Sequence, residues 1–207
     1  YLNNNISICY ACKNRSTNLI QSIKSIINSD IIDDIVVVDW NTTSTDLYKL
    51  LKKNFSTNFW KINYIKINNN VPWILSYAYN ISLFHATNNK IIKSDCDYIF
   101  NGKCIKKLNE LSLDNSFYSF DYKEAITENQ KHLNGFFYLS KYMLKDASYF
   151  NQKILFYGYD DDDLKITLEK KGYKFQHLII DDNELYHIEG NDSERVVNCI
   201  DQTSINF

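Results

Sequence analysis

Residues 5–12 are rich in β-formers (Ile6-Ser7-Ile8-Cys9-Tyr10) and predict a first strand. From Arg15 the period changes, and Leu19, Ile20, Ile23, Ile26 and Ile27 fall on one helical face. The run Ile35-Val36-Val37-Val38-Asp39 is near-continuous and apolar and ends in an acid, as a parallel strand covered on both faces would. Ser44 or Thr45 is placed to cap a helix through Leu51. Residues 59–67 read as a third strand. Pro72 stands where a helix begins, with helical spacing over 73–86. Residues 90–94 read as a fourth strand running into Asp95-Cys96-Asp97.

The order β-α-β-α-β-α-β predicts an α/β fold of three layers with a mostly parallel central sheet. Such sheets bind ligands beyond the carboxyl ends of their strands, and Asp39, Asp95 and Asp97 fall at such ends. The second half is less regular. Residues 102–111, 141–147 and 160–171 look helical, with Asp160 as a cap and Gly172 as a stop. Residues 116–122, 135–140 and 175–180 look like strands. No repeat or linker interrupts the chain, so a single domain over 1–207 is the simplest expectation.

Of the 207 residues, 44% are hydrophobic and 23% charged, enough apolar content to fold rather than stay disordered. A net charge of −2 lacks the basic footprint of a nucleic-acid binder. No apolar run nears the ~18 residues of a membrane span. The five cysteines (Cys9, Cys12, Cys96, Cys104, Cys199) show no framework spacing, which favours reduced thiols and a cytoplasmic setting over the secretory lumen. Cys9-x-x-Cys12 lies in the first strand with no second such pair, so burial is expected, not zinc or redox chemistry.

Three features carry chemistry. In an extended Asp95-Cys96-Asp97 both carboxylates face one way and can meet one hard cation and its phosphate ligands. A single such motif is more often a polar turn. Asp160-Asp161-Asp162-Asp163 opens a helix, where negative charge is favoured, yet four like charges exceed what a cap needs. One of them is expected to sit near a cleft as a general base. His187, in Leu185-Tyr186-His187-Ile188, is by itself more often structural. Beside two acids, it would complete a mixed oxygen and nitrogen site, which shifts preference from Mg²⁺ toward Mn²⁺.

The ordered set of the first strand, Lys13-Asn14-Arg15, Val36-Val37-Val38-Asp39-Trp40, Trp73 to Asn80 and Asp95-Cys96-Asp97 resembles the inverting GT-A (Rossmann-like) glycosyltransferases of the family-2 type. Asn134-Gly135-Phe136-Phe137-Tyr138-Leu139-Ser140, Tyr157 to Leu164, and Gly172 are similar to the galactosyltransferase-type C-terminal motif. The resemblance implies a nucleotide-binding half at about 1–100 and an acceptor-binding half at about 101–207. It implies that Arg15, Asp39, Trp73 and Asp95 bind the nucleotide-sugar, with Trp73 at the opening of the helix before Asp95. Asp95 and Asp97 would be the acid pair on the metal, with Asp97 the firmer ligand and His187 completing the set. Gly135 would lie near the donor sugar, Asp161 would be the catalytic base, and Tyr157 and Asp160 would face sugar or acceptor. It further implies Mn²⁺ (or Mg²⁺), a UDP-sugar donor carrying galactose, GlcNAc, GalNAc or glucose, and a glycan, protein or small-molecule hydroxyl acceptor. The sequence departs from the family where Asp160 replaces Glu, where Tyr157 and Tyr159 replace Trp, and at Thr167 and Leu75, which stand near basic positions of relatives.

Two other functions are weighed. An inactive transferase-like domain that binds glycan or scaffolds a partner would not be expected to retain Asp95, Asp97, Asp161 and His187 together. A sugar nucleotidyltransferase would carry a Gly-rich first loop, and residues 9–18 hold no Gly. His85 reads as structural, and His132 and His177 show no partner. Trp40 and Trp60 read as core or cleft wall. Tyr138, Tyr142, Tyr157 and Tyr159 read as core or as a sugar-stacking surface. Residues 124–132, polar and without period, are expected to form a loop that orders over substrate.

Overall fold

The structure is a computed structural model and describes residues 5–68, 72–155 and 158–188. The chain runs β1 (Ile6–Cys12), α1 (Ser16–Ile26), β2 (Ile32–Asp39), α2 (Leu47–Asn54), β3 (Ile62–Lys66), α3 (Leu75–His85), β4 (Lys90–Lys93), β5 (Tyr98–Phe100), α4 (Gly102–Glu110) and β6 (Ser116–Ser119). It continues through α5 (Glu128–Lys131), β7 (Phe137–Ser140), α6 (Lys141–Asp146), α7 (Asp160–Lys170), β8 (Lys174–His177) and β9 (Leu185–His187).

Seven strands form one sheet in the order β3-β2-β1-β4-β7-β6-β8. β1 pairs in parallel with β2 and β4, as does β2 with β3 and β6 with β8, while β7 is antiparallel to both neighbours. The sheet is therefore mostly parallel, as expected. Residues alternate along β1: Ile6, Ile8, Tyr10 and Cys12 enter the core under α1, α2 and α4, and Cys9 and Ala11 enter the core under α3, α6 and α7. That double burial is why β1 and β2 read as nearly unbroken apolar runs. From β1 the chain crosses outward to β2 and β3 on one side, then returns to β4 on the other. The crevice between the carboxyl ends of β1 and β4 is the switch point where such sheets bind ligands.

Several local expectations are corrected. Asp46, not Ser44 or Thr45, caps α2, accepting from the Lys49 amide at 3.1 Å. Asn14 Oδ1 takes the Thr43 and Ser44 amides at 2.9 and 3.4 Å, so those residues staple two loops and start no helix. Phe59–Lys61 is a 3-10 turn ahead of β3; the turn shifts the alternation and leaves Trp60 71% exposed, neither core nor cleft wall. Trp73 precedes α3, which starts at Leu75, and its ring meets the buried Trp40 edge-on at 5.9 Å. Cys9, Cys12, Cys96 and Cys104 are buried free thiols, and Cys199 lies outside the described residues. Among the described residues no helix is long and apolar enough to cross a membrane.

Candidate active site

β5 and β9, three residues each, form a separate antiparallel pair in which Tyr98 faces His187. The Ile188 amide donates to the Asp97 carbonyl at 2.8 Å, extending the match by one residue. This pairing carries a histidine from the far end of the described chain to the loop after β4. His187 Nε2 stands 3.3 Å from Asp97 Oδ2. Arg15, the residue before α1, donates from Nη2 to the same oxygen at 2.9 Å. Asp97 is 3% exposed, so its charge is met by the guanidinium and not by water. His187 is held by a Tyr98 edge contact and by His132, whose ring stacks on it at 5.1 Å and 23°. Its amide donates to Asn129 Oδ1 at 2.8 Å.

Asp95 has different partners. Tyr79 donates its hydroxyl to Asp95 Oδ1 at 2.6 Å, Tyr98 to Oδ2 at 3.1 Å, and Lys93 Nζ lies 3.2 Å from Oδ1. The two acids of Asp95-Cys96-Asp97, expected to share one cation, are thus engaged by separate groups. Asp97 is the acid that meets His187. Lys93 also donates to Asp161 Oδ1 at 2.9 Å and to the Gly135 carbonyl at 2.7 Å. Gly135 is needed for close approach: a Cβ there would stand 2.5 Å from Asp95 Oδ2, an oxygen that Tyr98 already fixes. We expect Gly135→Ala to displace Asp95 and cut turnover by roughly tenfold or more, with melting temperature the control. Unchanged turnover would remove this role.

Gly158 and Tyr159 both adopt left-handed backbone, with φ of 97° and 64°. For Tyr159 that conformation is strained. The double turn makes Tyr159 the residue before α7 and puts Asp160 inside the helix, so Asp160 is not the cap expected from sequence. Asp160 is 5% exposed, and its Oδ2 has no hydrogen-bond partner among the described residues. Burial pushes its carboxyl above the usual range, against the pull of Lys93. Asp161 keeps a fifth of its side chain exposed. Burial, with Asp160 and Asp95 beside it, pushes its carboxyl up to about 7 although Lys93 pulls the other way. A carboxyl poised there is suited to accept a proton at neutral pH. Asp161 lines a cleft of about 150 Å³ with Asp95, His132, Asn134, Tyr159 and Asp160.

Asp97 and His187 therefore touch, and Asp161 reaches the same region through Lys93 and Asp95. Asp39 does not open to the cleft: it is 1% exposed, and its oxygens accept from the Thr42 amide at 2.9 Å and the Tyr64 hydroxyl at 2.6 Å. Tyr157 lies outside the described residues. Tyr138 is core, whereas Tyr142 and Tyr159 are exposed. Lys93, Tyr79, Tyr98 and His132 are site residues that sequence reasoning missed, and His177 also has a partner, the Asp121 amide at 3.2 Å. Residues 124–132 are not a loose loop: α5 lies within them, Thr127 Oγ1 bonds Asp182 at 2.8 Å, and Asn129 reaches the Leu185 carbonyl at 3.0 Å.

Among the described residues no group of three or more His, Cys, Asp or Glu side chains is placed to hold a metal ion. Asp97 and His187 offer one oxygen and one nitrogen. A small protein donor set of that kind fits an ion that takes its remaining ligands from substrate phosphates and water.

The model of a family described as glycosyl transferase family 2 matches residues 7–161. No curated protein matches the chain in sequence. Among solved structures, the chain is similar to the mannosyltransferase PcManGT from Pyrobaculum calidifontis, in complex with GDP-Man and Mn²⁺, at 13% identity and a TM-score of 0.66, over 84% of this chain and 54% of that one. It is also similar to S. aureus TarS 1-349 in complex with UDP-GlcNAc, at 12% identity and a TM-score of 0.61, over 86% of this chain and 59% of that one. The chain thus spans little more than half the length of these structures, and at such identity the likeness speaks for the fold alone.

Proposed function

Because the chain belongs to glycosyl transferase family 2 and has its GT-A fold, we propose that it transfers a sugar with inversion from a UDP-sugar to an acceptor hydroxyl, with a divalent cation. The observation that carries this reading is the contact of Asp97 with His187 in a site that also holds Asp161, whose carboxyl is pushed up to about 7 by burial and by Asp160 and Asp95. Asp97 and His187 would hold Mn²⁺ or Mg²⁺ together with the donor diphosphate. The cation's chemistry is to offset negative charge growing on the departing diphosphate.

The chain's own residues do the rest. Arg15 lies against Asp97 and adds positive charge on the leaving-group side. Asp95, fixed by Tyr79 and Tyr98 and with Gly135 packed against it, would face the donor's ribose and sugar. Asp161 takes the proton of the acceptor hydroxyl as its oxygen attacks the anomeric carbon from the opposite face. That is a single displacement, so no enzyme nucleophile is required. Tyr159, three-quarters exposed at the cleft, offers a face on which an acceptor sugar can stack.

The test is a donor panel of UDP-galactose, UDP-GlcNAc, UDP-GalNAc and UDP-glucose, with GDP-mannose as a control, assayed with Mn²⁺ and with EDTA. One UDP-sugar should be turned over in the presence of Mn²⁺, and EDTA should lower that rate by about 100-fold or more. Full activity in EDTA would remove the cation from the mechanism. No turnover of any donor, together with no metal-dependent binding of UDP, would remove the reading itself.

A further inference from the structure

Lys93 ends β4, and its side chain is 1% exposed. A buried ammonium is tolerated only when its charge and its three protons are met. Here Nζ bonds Asp161 Oδ1, Asp95 Oδ1 and the Gly135 carbonyl, and stands 4.2 Å from the centre of the Tyr79 ring. One nitrogen therefore ties together the loop after β4, the turn before β7 and the first turn of α7.

We propose that Lys93 is a positioning residue for sugar transfer: it fixes the Asp161 carboxylate beside Asp95 by its Oδ1 and leaves Oδ2 for the acceptor hydroxyl. The inference rests on the reading of Asp161 as the base. In the step it serves, the acceptor O–H proton passes to Asp161 Oδ2 and the acceptor oxygen bonds the anomeric carbon. The bond from that carbon to the diphosphate breaks, and its electron pair leaves with the diphosphate. Lys93 keeps its own protons. Burial opposes its charge, but Asp161, Asp95 and Asp160 push its pKa above the ordinary lysine value.

The fixing and the charge act together. Without Lys93, Asp161 would face Asp95 and Asp160 in a buried setting and would hold a proton more tightly. The phenols of Tyr79 and Tyr98 stand near enough to feel the Asp161 charge. Lys131, His132, Tyr159 and Asp162 complete the charged and titratable groups of the cleft wall.

The Asp161 carboxyl can be followed directly by carbon-13 NMR in protein labelled at its aspartates, without substrate, as the resonance that Asp161→Asn removes. Lys93→Met should move its titration midpoint up by about one pH unit or more. Asp95→Asn, which removes the competing acid from Lys93, should move it down. If Lys93→Met does not fold, Lys93→Gln, which keeps a donor but loses the charge, is read in its place and should also move the midpoint up. In turnover with the donor found above, Lys93→Met should lower kcat by about tenfold or more, leave donor KM within about threefold, and raise the acid limb of the pH profile with the NMR midpoint. A midpoint that does not rise in a folded Lys93 variant, or unchanged kcat and acid limb in it, would overturn the proposal. The NMR arm needs no sugar transfer, so failure of the Lys93 link and failure of the transferase reading are told apart.

Discussion

Asp161→Asn is expected to lower sugar transfer by about 10²–10⁴-fold, the usual contribution of a general base, while leaving metal-dependent UDP binding within about threefold. The group must be ionised to accept a proton. With its carboxyl pushed up to about 7 by burial and by Asp160 and Asp95, the wild-type rate should climb through pH 7 and level off above it. One unit below that point roughly a tenth of the molecules are ready. In the variant the pH limb should vanish with the activity. A stability signature accompanies it. The folded protein binds this proton more tightly than an unfolded chain, whose aspartates titrate near ~3.9. The stability this contributes is complete below the unfolded value and is lost as pH rises through about 7. Asparagine does not titrate, so the melting temperature of Asp161→Asn should rise relative to that of wild type from pH 5 to pH 8, whichever is the higher at pH 5. A constant difference over that range would show that Asp161 is not held protonated, and full activity in the variant would remove it as the base.

The half of the fold around β1, β2 and β4 was legible because burial on both faces leaves continuous apolar runs, and because the carboxyl ends of such strands collect Asp39, Asp95 and Asp97. β5 and β9 were not resolved as a pair, since three residues each are too few to show a period, yet they bring His187 to Asp97. Lys93 does carry a signal in the sequence: a charge closing the apolar run Ile91-Ile92, two residues before Asp95 and so on the same side of an extended chain. His132 had none, because its stacking on His187 depends on where α5 docks against β9. Asp160 looked like a cap because acids favour helix starts. The left-handed Gly158 and Tyr159 move the start by one residue and turn that acid into the pocket.

Asp97→Asn should separate fold from function. Asp97 is 3% exposed and carries Arg15 Nη2 at 2.9 Å. Removing one partner of such a buried pair leaves a guanidinium without its counter-charge and costs about 3–5 kcal/mol. Removing both partners costs less, so Arg15→Met combined with Asp97→Asn should recover part of the lost stability. Ligand binding should not recover, because neither variant retains the acid that would hold the cation beside His187. In the wild type, UDP with Mn²⁺ at about a hundred times its dissociation constant should stabilise the fold by ~2.7 kcal/mol. Both variants should lose that gain, whichever of them is the more stable. If thermal unfolding of Asp97→Asn still showed the full Mn²⁺-dependent stabilisation by UDP, the cation would have to sit elsewhere, and the contact of Asp97 with His187 would be structural only. If the double variant regained the gain along with its stability, the loss in Asp97→Asn would have come from a disturbed fold and not from a missing ligand.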